Sequence, residues 1–236
     1  MRVFILGDTH LSNDSRIEKP MDVFGEAWHN HQERLRDEWD SHVAPCDTVI
    51  LAGDISWGMR LDEAMADLAW IHERPGQKIL IKGNHDLWWT GITRLNQLFQ
   101  DMRFLQNNCA SVTDEVFVCG SRGWVCPGSE GFTEADQVVY ARESLRLRAS
   151  LEAAKARHAA HIIGVLHYPP TNDKMQPSAF TDLFEEFGVR HVYYGHLHGK
   201  EAYRKGLRGN LNGVTYDLVS LDYLDCKLKE ITLSEL

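Results

Sequence analysis

The chain has 236 residues, with 25 Lys+Arg against 34 Asp+Glu for a formal charge of −9, 43% hydrophobic residues and 25% charged ones. This is the balance of a soluble globular protein and excludes intrinsic disorder; no apolar run approaches the roughly 20 residues a spanning helix needs. The acidic excess disfavours broad attraction to nucleic acid or anionic lipid.

Periodicity predicts strands alternating with helices. Residues 2–6 read as a short buried strand. Phe24, Trp28, Leu35, Trp39 and Val43 fall near helical spacing and predict a helix over 24–43. A strand follows at 47–51. Leu61, Met65, Leu68 and His72 share one helical face, and Pro75-Gly76 ends that helix. Further strands are expected at 77–81, 116–120, 161–166 and 190–194, with closing strands at 214–219 and 226–233. Helices are expected at 90–100, 134–158 and 180–187, the long one striped by Tyr140, Ser144, Leu147, Leu151 and Ala154. Two loops, 124–133 with Pro127, Gly128 and Gly131, and 168–177, stand out as rims for a pocket. No repeat, low-complexity tract or linker interrupts the pattern, so one domain over 1–236 is expected.

The cysteines, Cys46, Cys109, Cys119, Cys126 and Cys226, are odd in number and form no CxxC pair. They do not read as a disulfide framework and fit reduced thiols. The opening MRVFILGDTH lacks the length and cleavage site of a secretion signal, which makes a cytoplasmic location the expectation.

Several predicted strands end in short polar runs: GDTH, GDI, GNHD, HYPP and GHLH. Ligands of open α/β sheets gather at the carboxyl ends of strands. Any one run is weak evidence, since Gly-Asp is common in turns; recurrence at successive strand ends is the signal. The runs present Asp8, His10, Asp54, Asn84, His85, Asp86, His167, His196 and His198. Carboxylate, imidazole and amide donors without thiolate suit Mn²⁺, Fe or Zn²⁺. The donors are too many for one ion and fit two ions sharing a carboxylate, the arrangement that serves in-line displacement at phosphorus.

The order D-x-H, G-D, G-N-H-D, H, G-H-x-H, spanning Asp8 to His198, resembles the calcineurin-like metallophosphoesterases. The resemblance implies an α/β fold, a four-layer α/β/β/α sandwich with the metals at strand ends. It implies two divalent ions, manganese foremost and iron or zinc as alternatives. Asp8, His10 and His198 would hold one, Asn84, His167 and His196 the other, and Asp54 would bridge them with a hydroxide that attacks phosphorus. His85 would be the general acid that protonates the leaving oxygen, or else a clamp on the phosphate, with Asp86 accepting a hydrogen bond from it. His196-Leu197-His198 must turn, because an extended chain aims alternate side chains apart. GDISWG lacks the GD-x-x-D-R-G pattern of the serine/threonine protein phosphatases, which also have GNHE where this chain has GNHD. Both departures count against that subgroup. The GDISW, GNHDLWW and LHYPP stretches look like a branch of predicted bacterial phosphohydrolases.

Trp57, Trp88, Trp89, Arg122, Trp124 and Tyr168 lie near these runs and are candidates to face a substrate. The basic residues of 134–158 read as a solvated face, because acidic residues are interspersed. The expected activity is hydrolysis of a small phosphomonoester or phosphodiester. A nuclease, or a non-catalytic scaffold on the same fold, is the alternative; a scaffold would be expected to lose ligands, and none is missing.

Overall fold

A computed structural model describes residues 1–236 apart from the side chain of Glu235. The strands form two sheets. The first runs β11(Lys229–Ile231)-β1(Val3–Leu6)-β2(Thr48–Leu51)-β3(Gln77–Ile81)-β4(Met102–Leu105). The second runs β5(Cys109–Ser111)-β6(Val116–Ser121)-β7(His161–Leu166)-β8(His191–Tyr194)-β10(Val214–Leu218)-β9(Gly209–Leu211). Pairing is parallel except at β11, β5 and β9. The parallel strands are covered on both faces, which is why VFIL, TVIL and HIIGVL read as unbroken apolar runs.

Strand alternation distributes the core into three apolar layers. Val3 and Ile5 of β1, with Ile50, Ile79 and Ile81, face Val116, Val118, Ile163 and Val165 between the sheets. Phe4, Leu6, Val49, Leu51 and Leu80 point the other way, onto Leu35 and Trp39 of α1(His31–His42) and Leu68 and Ile71 of α2(Leu61–His72). On the far side Phe117, Cys119, Leu166 and Val192 meet Leu147 and Leu151 of α4(Glu134–Ala156) and Phe180, Leu183 and Phe184 of α5(Ala179–Glu186). The result is the four-layer α/β/β/α sandwich that the resemblance implies. α4 opens with a capping box: Thr133 Oγ1 accepts from Asp136 N at 3.2 Å and Asp136 Oδ2 accepts from Thr133 N at 3.0 Å. Among the described residues no helix is long and apolar enough to cross a membrane.

The expected helix over 24–43 begins later than its periodicity implied. Gly25 (φ +113°) and Asn30 (φ +49°) break it into two single 3-10 turns, Met21–Phe24 and Glu26–Trp28, before α1. Phe24 is consequently 67% exposed while Trp28 is buried. The helix expected over 90–100 shrinks to α3(Ile92–Leu95), and α6(Gly199–Lys205), β4, β5 and β9 were not anticipated.

Candidate metal centre

Five polar strand-end runs converge. β1 delivers Asp8 and His10, β2 delivers Asp54, β3 leads to Asn84 and His85, β7 to His167, and β8 to His196 and His198. Asp8, His10, Asp54 and His196 all take left-handed φ, at +63°, +45°, +50° and +72°. This backbone is costly for residues other than glycine and clusters at functional sites. It turns the chain at His196, so the rings of His196 and His198 join different groups. Glycines give the carboxylates room: a Cβ on Gly195 would stand 2.4 Å from Asp8 Oδ2, and one on Gly83 would stand 2.1 Å from Asp54 Oδ1.

The donors fall into two triads, Asp8, His10 and His198, and Asp54, His167 and His196, whose ligand atoms lie within 4.8 Å of one another. Asn84 Oδ1 joins the second at 2.8 Å from His167 Nε2, and His196 Nδ1 lies 3.2 Å from the same nitrogen. In the first triad the two Nε2 atoms of His10 and His198 face each other at 3.4 Å. Asp54 reaches towards both groups: its Oδ2 is 3.3 Å from His167 Nε2, 3.9 Å from His10 Nε2 and 4.0 Å from His85 Nε2.

Asp8 and Asp54 are buried, and among the described residues no lysine or arginine pairs with either. Burial pushes the Asp8 carboxyl up, to about 6, against the pull of His198 and His167. Burial also opposes ionisation of Asp54, but His167 and His10 hold it well below the usual carboxylate range. Desolvation drives His10 and His196 towards the neutral form, His196 to about 3. Against desolvation, Asp54 and Asp8 raise His167 to about 9, and Asp8 and Asp222 raise His198. Two buried carboxylates offset by imidazoles alone, with no lysine or arginine, form a donor set that fits divalent cations.

Outer contacts fix the rings. His167 Nδ1 lies 3.0 Å from Ala52 O, which aims Nε2 into the site. His198 Nδ1 lies 2.9 Å from Asp222 Oδ1, the arrangement by which a carboxylate orients a metal-binding histidine. Asp222 also accepts from Gly199 N and the Tyr203 hydroxyl. Sequence reasoning missed Asp222. Its signal was its place just beyond β10, one more strand end. Trp28, also missed, lies with its ring 5.6 Å from His10 and 5.3 Å from His198.

The remaining candidates separate. The Trp57 ring lies 4.7 Å from that of His10 and 4.4 Å from that of His85. Tyr168 lies 4.0 Å from the His196 ring and 5.0 Å from Trp124, over which the Arg122 guanidinium sits at 4.4 Å. Arg122 also reaches the buried Glu143 carboxylate at 3.4 Å, shared with Arg146 and Arg142. Trp88 and Trp89 do not face the site: both are buried, packing on each other, with Trp89 5.1 Å from Phe104. Loops 124–133 and 168–177 tie to each other through Asn172 Nδ2, which donates to Pro127 O at 3.0 Å. The basic residues of α4 are partly spent internally, Arg146 on Glu143 and Arg148 on Glu186.

Asp86 differs from expectation. Among the described residues no hydrogen bond joins its carboxylate to the His85 ring. It accepts instead from Gly83 N (2.7 Å), Ile55 N (2.8 Å), Trp88 Nε1 (3.0 Å) and Ser56 N (3.2 Å). Asp86 thus pins the loop after β2 to the loop after β3, which sets Asp54 beside Asn84. His85 keeps a 45% exposed side chain beside Trp57.

The comparisons agree with this geometry. The Gene 66 proteins of Mycobacterium phages L5 and D29 are 50% identical over 56 residues and 36% identical over 84 residues. Those segments are 24% and 36% of this chain and 27% and 40% of theirs, so the chain spans less than half the length of the curated relatives it matches. The solved structure of TT1561 from Thermus thermophilus superposes with a TM-score of 0.60 at 12% identity over 98% of each chain, a likeness of fold. The family model for calcineurin-like phosphoesterases matches residues 1–200, with both triads inside that span. The chain therefore belongs to the calcineurin-like phosphoesterase family.

Proposed function

We propose that the protein hydrolyses a small phosphomonoester or phosphodiester with two divalent ions, Asp8, His10 and His198 holding one and Asn84, His167 and His196 the other. Asp54 would serve both ions, and the observation that carries the reading is its Oδ2, within 4 Å of histidine nitrogens from both triads. Ions bound there would lower the pKa of water and offset charge on the phosphoryl oxygens.

The chain's own residues supply the rest. Asp222 and the Ala52 carbonyl hold the rings of His198 and His167 with Nε2 turned inward. Asp86 clamps the Asp54 and Asn84 loops in register. His85 Nε2 protonates the leaving oxygen; partial burial lowers its pKa, against the opposing pull of Asp54. Manganese is the ion proposed, with iron or zinc compatible with the same donors.

His85→Ala is the test. Turnover of phenyl phosphate or its diphenyl ester, whose basic leaving oxygen needs a proton, should fall roughly 10²–10⁴-fold, the range for removing a general acid, with metal content unchanged. A variant retaining the parent rate refutes the role of His85.

A further inference from the structure

A cavity of about 630 Å³ opens beside the first triad. His10, His198 and His85 form its inner end, so it adjoins the reacting atoms. Its walls are Met21, Phe24 and Trp28 on one side and Trp57 on the other, and apolar surface dominates the lining. The polar groups of the wall are engaged with each other. His198 Nδ1 and Asp222 Oδ1 pair, and Asp222 Oδ2 takes Gly199 N and the Tyr203 hydroxyl. Trp57 Nε1 donates to Met21 Sδ at 3.3 Å. Beyond the triad and His85, the wall leaves Lys200 as the side chain to meet a polar ligand, and it is exposed. A sugar or nucleobase there would lose hydrogen bonds to water without regaining them, which is costly. An apolar group loses nothing and covers Phe24, left 67% exposed by the break at Gly25.

We infer that the alcohol half of the phosphoester is apolar, an alkyl or aryl group seated between Met21, Phe24, Trp28 and Trp57. The inference rests on the phosphoesterase reading of the adjoining centre. In the reaction the bond from phosphorus to the ester oxygen breaks. Water supplies the hydroxyl that bonds to phosphorus, and the departing alcohol or phenol takes up a proton from His85, which the proton lost by water restores. His85 faces the cavity, which places its proton where the apolar alcohol departs.

The test uses the full chain loaded with Mn²⁺. kcat/KM is measured for n-alkyl phosphates from ethyl to octyl, for phenyl and 2-naphthyl phosphate, and for ribose 5-phosphate and a nucleoside 5′-phosphate. Calorimetry of the matching alkylphosphonates, which are not hydrolysed, supplies a second readout. Both series should improve about two- to fourfold per buried methylene, the polar esters should trail, and Phe24→Ser should flatten the slope. The alkyl and aryl arms show which apolar group is preferred. A flat phosphonate series, or preference for the nucleotide, overturns the inference; turnover that persists with a flat series leaves the phosphoesterase reading standing. Chain-length-dependent phosphonate binding without turnover of any ester keeps the apolar seat and refutes hydrolysis. A dimer dissolved by Phe24→Ser would give the cavity to a second copy and overturn it as well.

Discussion

Replacing Asp86 with asparagine separates holding the site together from doing chemistry in it. The carboxylate is fully buried. Oδ1 accepts from Ile55 N, Ser56 N and Trp88 Nε1, and Oδ2 from Gly83 N. An amide keeps one acceptor oxygen. Turned to serve the donors on Oδ1, it presents its NH₂ to the Gly83 N–H, leaving a buried donor unsatisfied at about 1–3 kcal/mol. The bonds that remain lose their charged acceptor and weaken, while relief of the buried charge, which desolvation and Asp54 disfavour, offsets part of the loss. The net expectation is about 2–3 kcal/mol. In a chain this size each kcal/mol moves Tm by about 2–4 °C, so scanning calorimetry should record a drop of about 4–12 °C. Turnover per folded molecule should fall less than in His85→Ala. An unchanged Tm with a rate loss equal to that of His85→Ala would refute the positioning role and put Asp86 in the proton transfer.

Other expectations follow from the same contacts. Asp54→Asn should weaken metal at both positions, read as lower occupancy by elemental analysis after dialysis; full occupancy with full activity contradicts the shared carboxylate. Asp222→Ala frees the His198 ring and should weaken one ion by about 10–100-fold while sparing the other, read as two resolved steps in a calorimetric titration. Glu143→Gln leaves the Arg122, Arg142 and Arg146 guanidiniums around a neutral group. The partial exposure of Arg146 and Arg142 puts the cost near the low end for breaking a buried pair, about 3 kcal/mol, measured by urea unfolding.

The polar strand-end runs were legible because parallel strands expose their carboxyl ends together, so GDTH, GDI, GNHD and GHLH gather however far apart they lie in the chain. Asp222 was hidden because its meaning is a contact with His198 on another strand, and Ser-Leu-Asp carries no local mark. Trp88 and Trp89 looked substrate-facing by proximity to Asn84, yet the turn after His85 sends both inward onto each other and Phe104. Apolar spacing over 24–43 was real, but the periodicity cannot register two left-handed residues, Gly25 and Asn30. The cavity that this break opens was therefore invisible in the pattern. The short strands β4, β5 and β9 carry too few residues to show alternation.

The central claim is that the two triads hold two ions and that these ions are needed for phosphoester hydrolysis. Metal-stripped protein titrated with Mn²⁺ in a calorimeter, with turnover of p-nitrophenyl phosphate and its bis ester followed at each addition, tests it most directly. The account predicts saturation at two equivalents per chain with activity rising as the second ion binds. Saturation at two with no turnover of any phosphoester, or failure to bind Mn²⁺, Fe²⁺ or Zn²⁺, would contradict it.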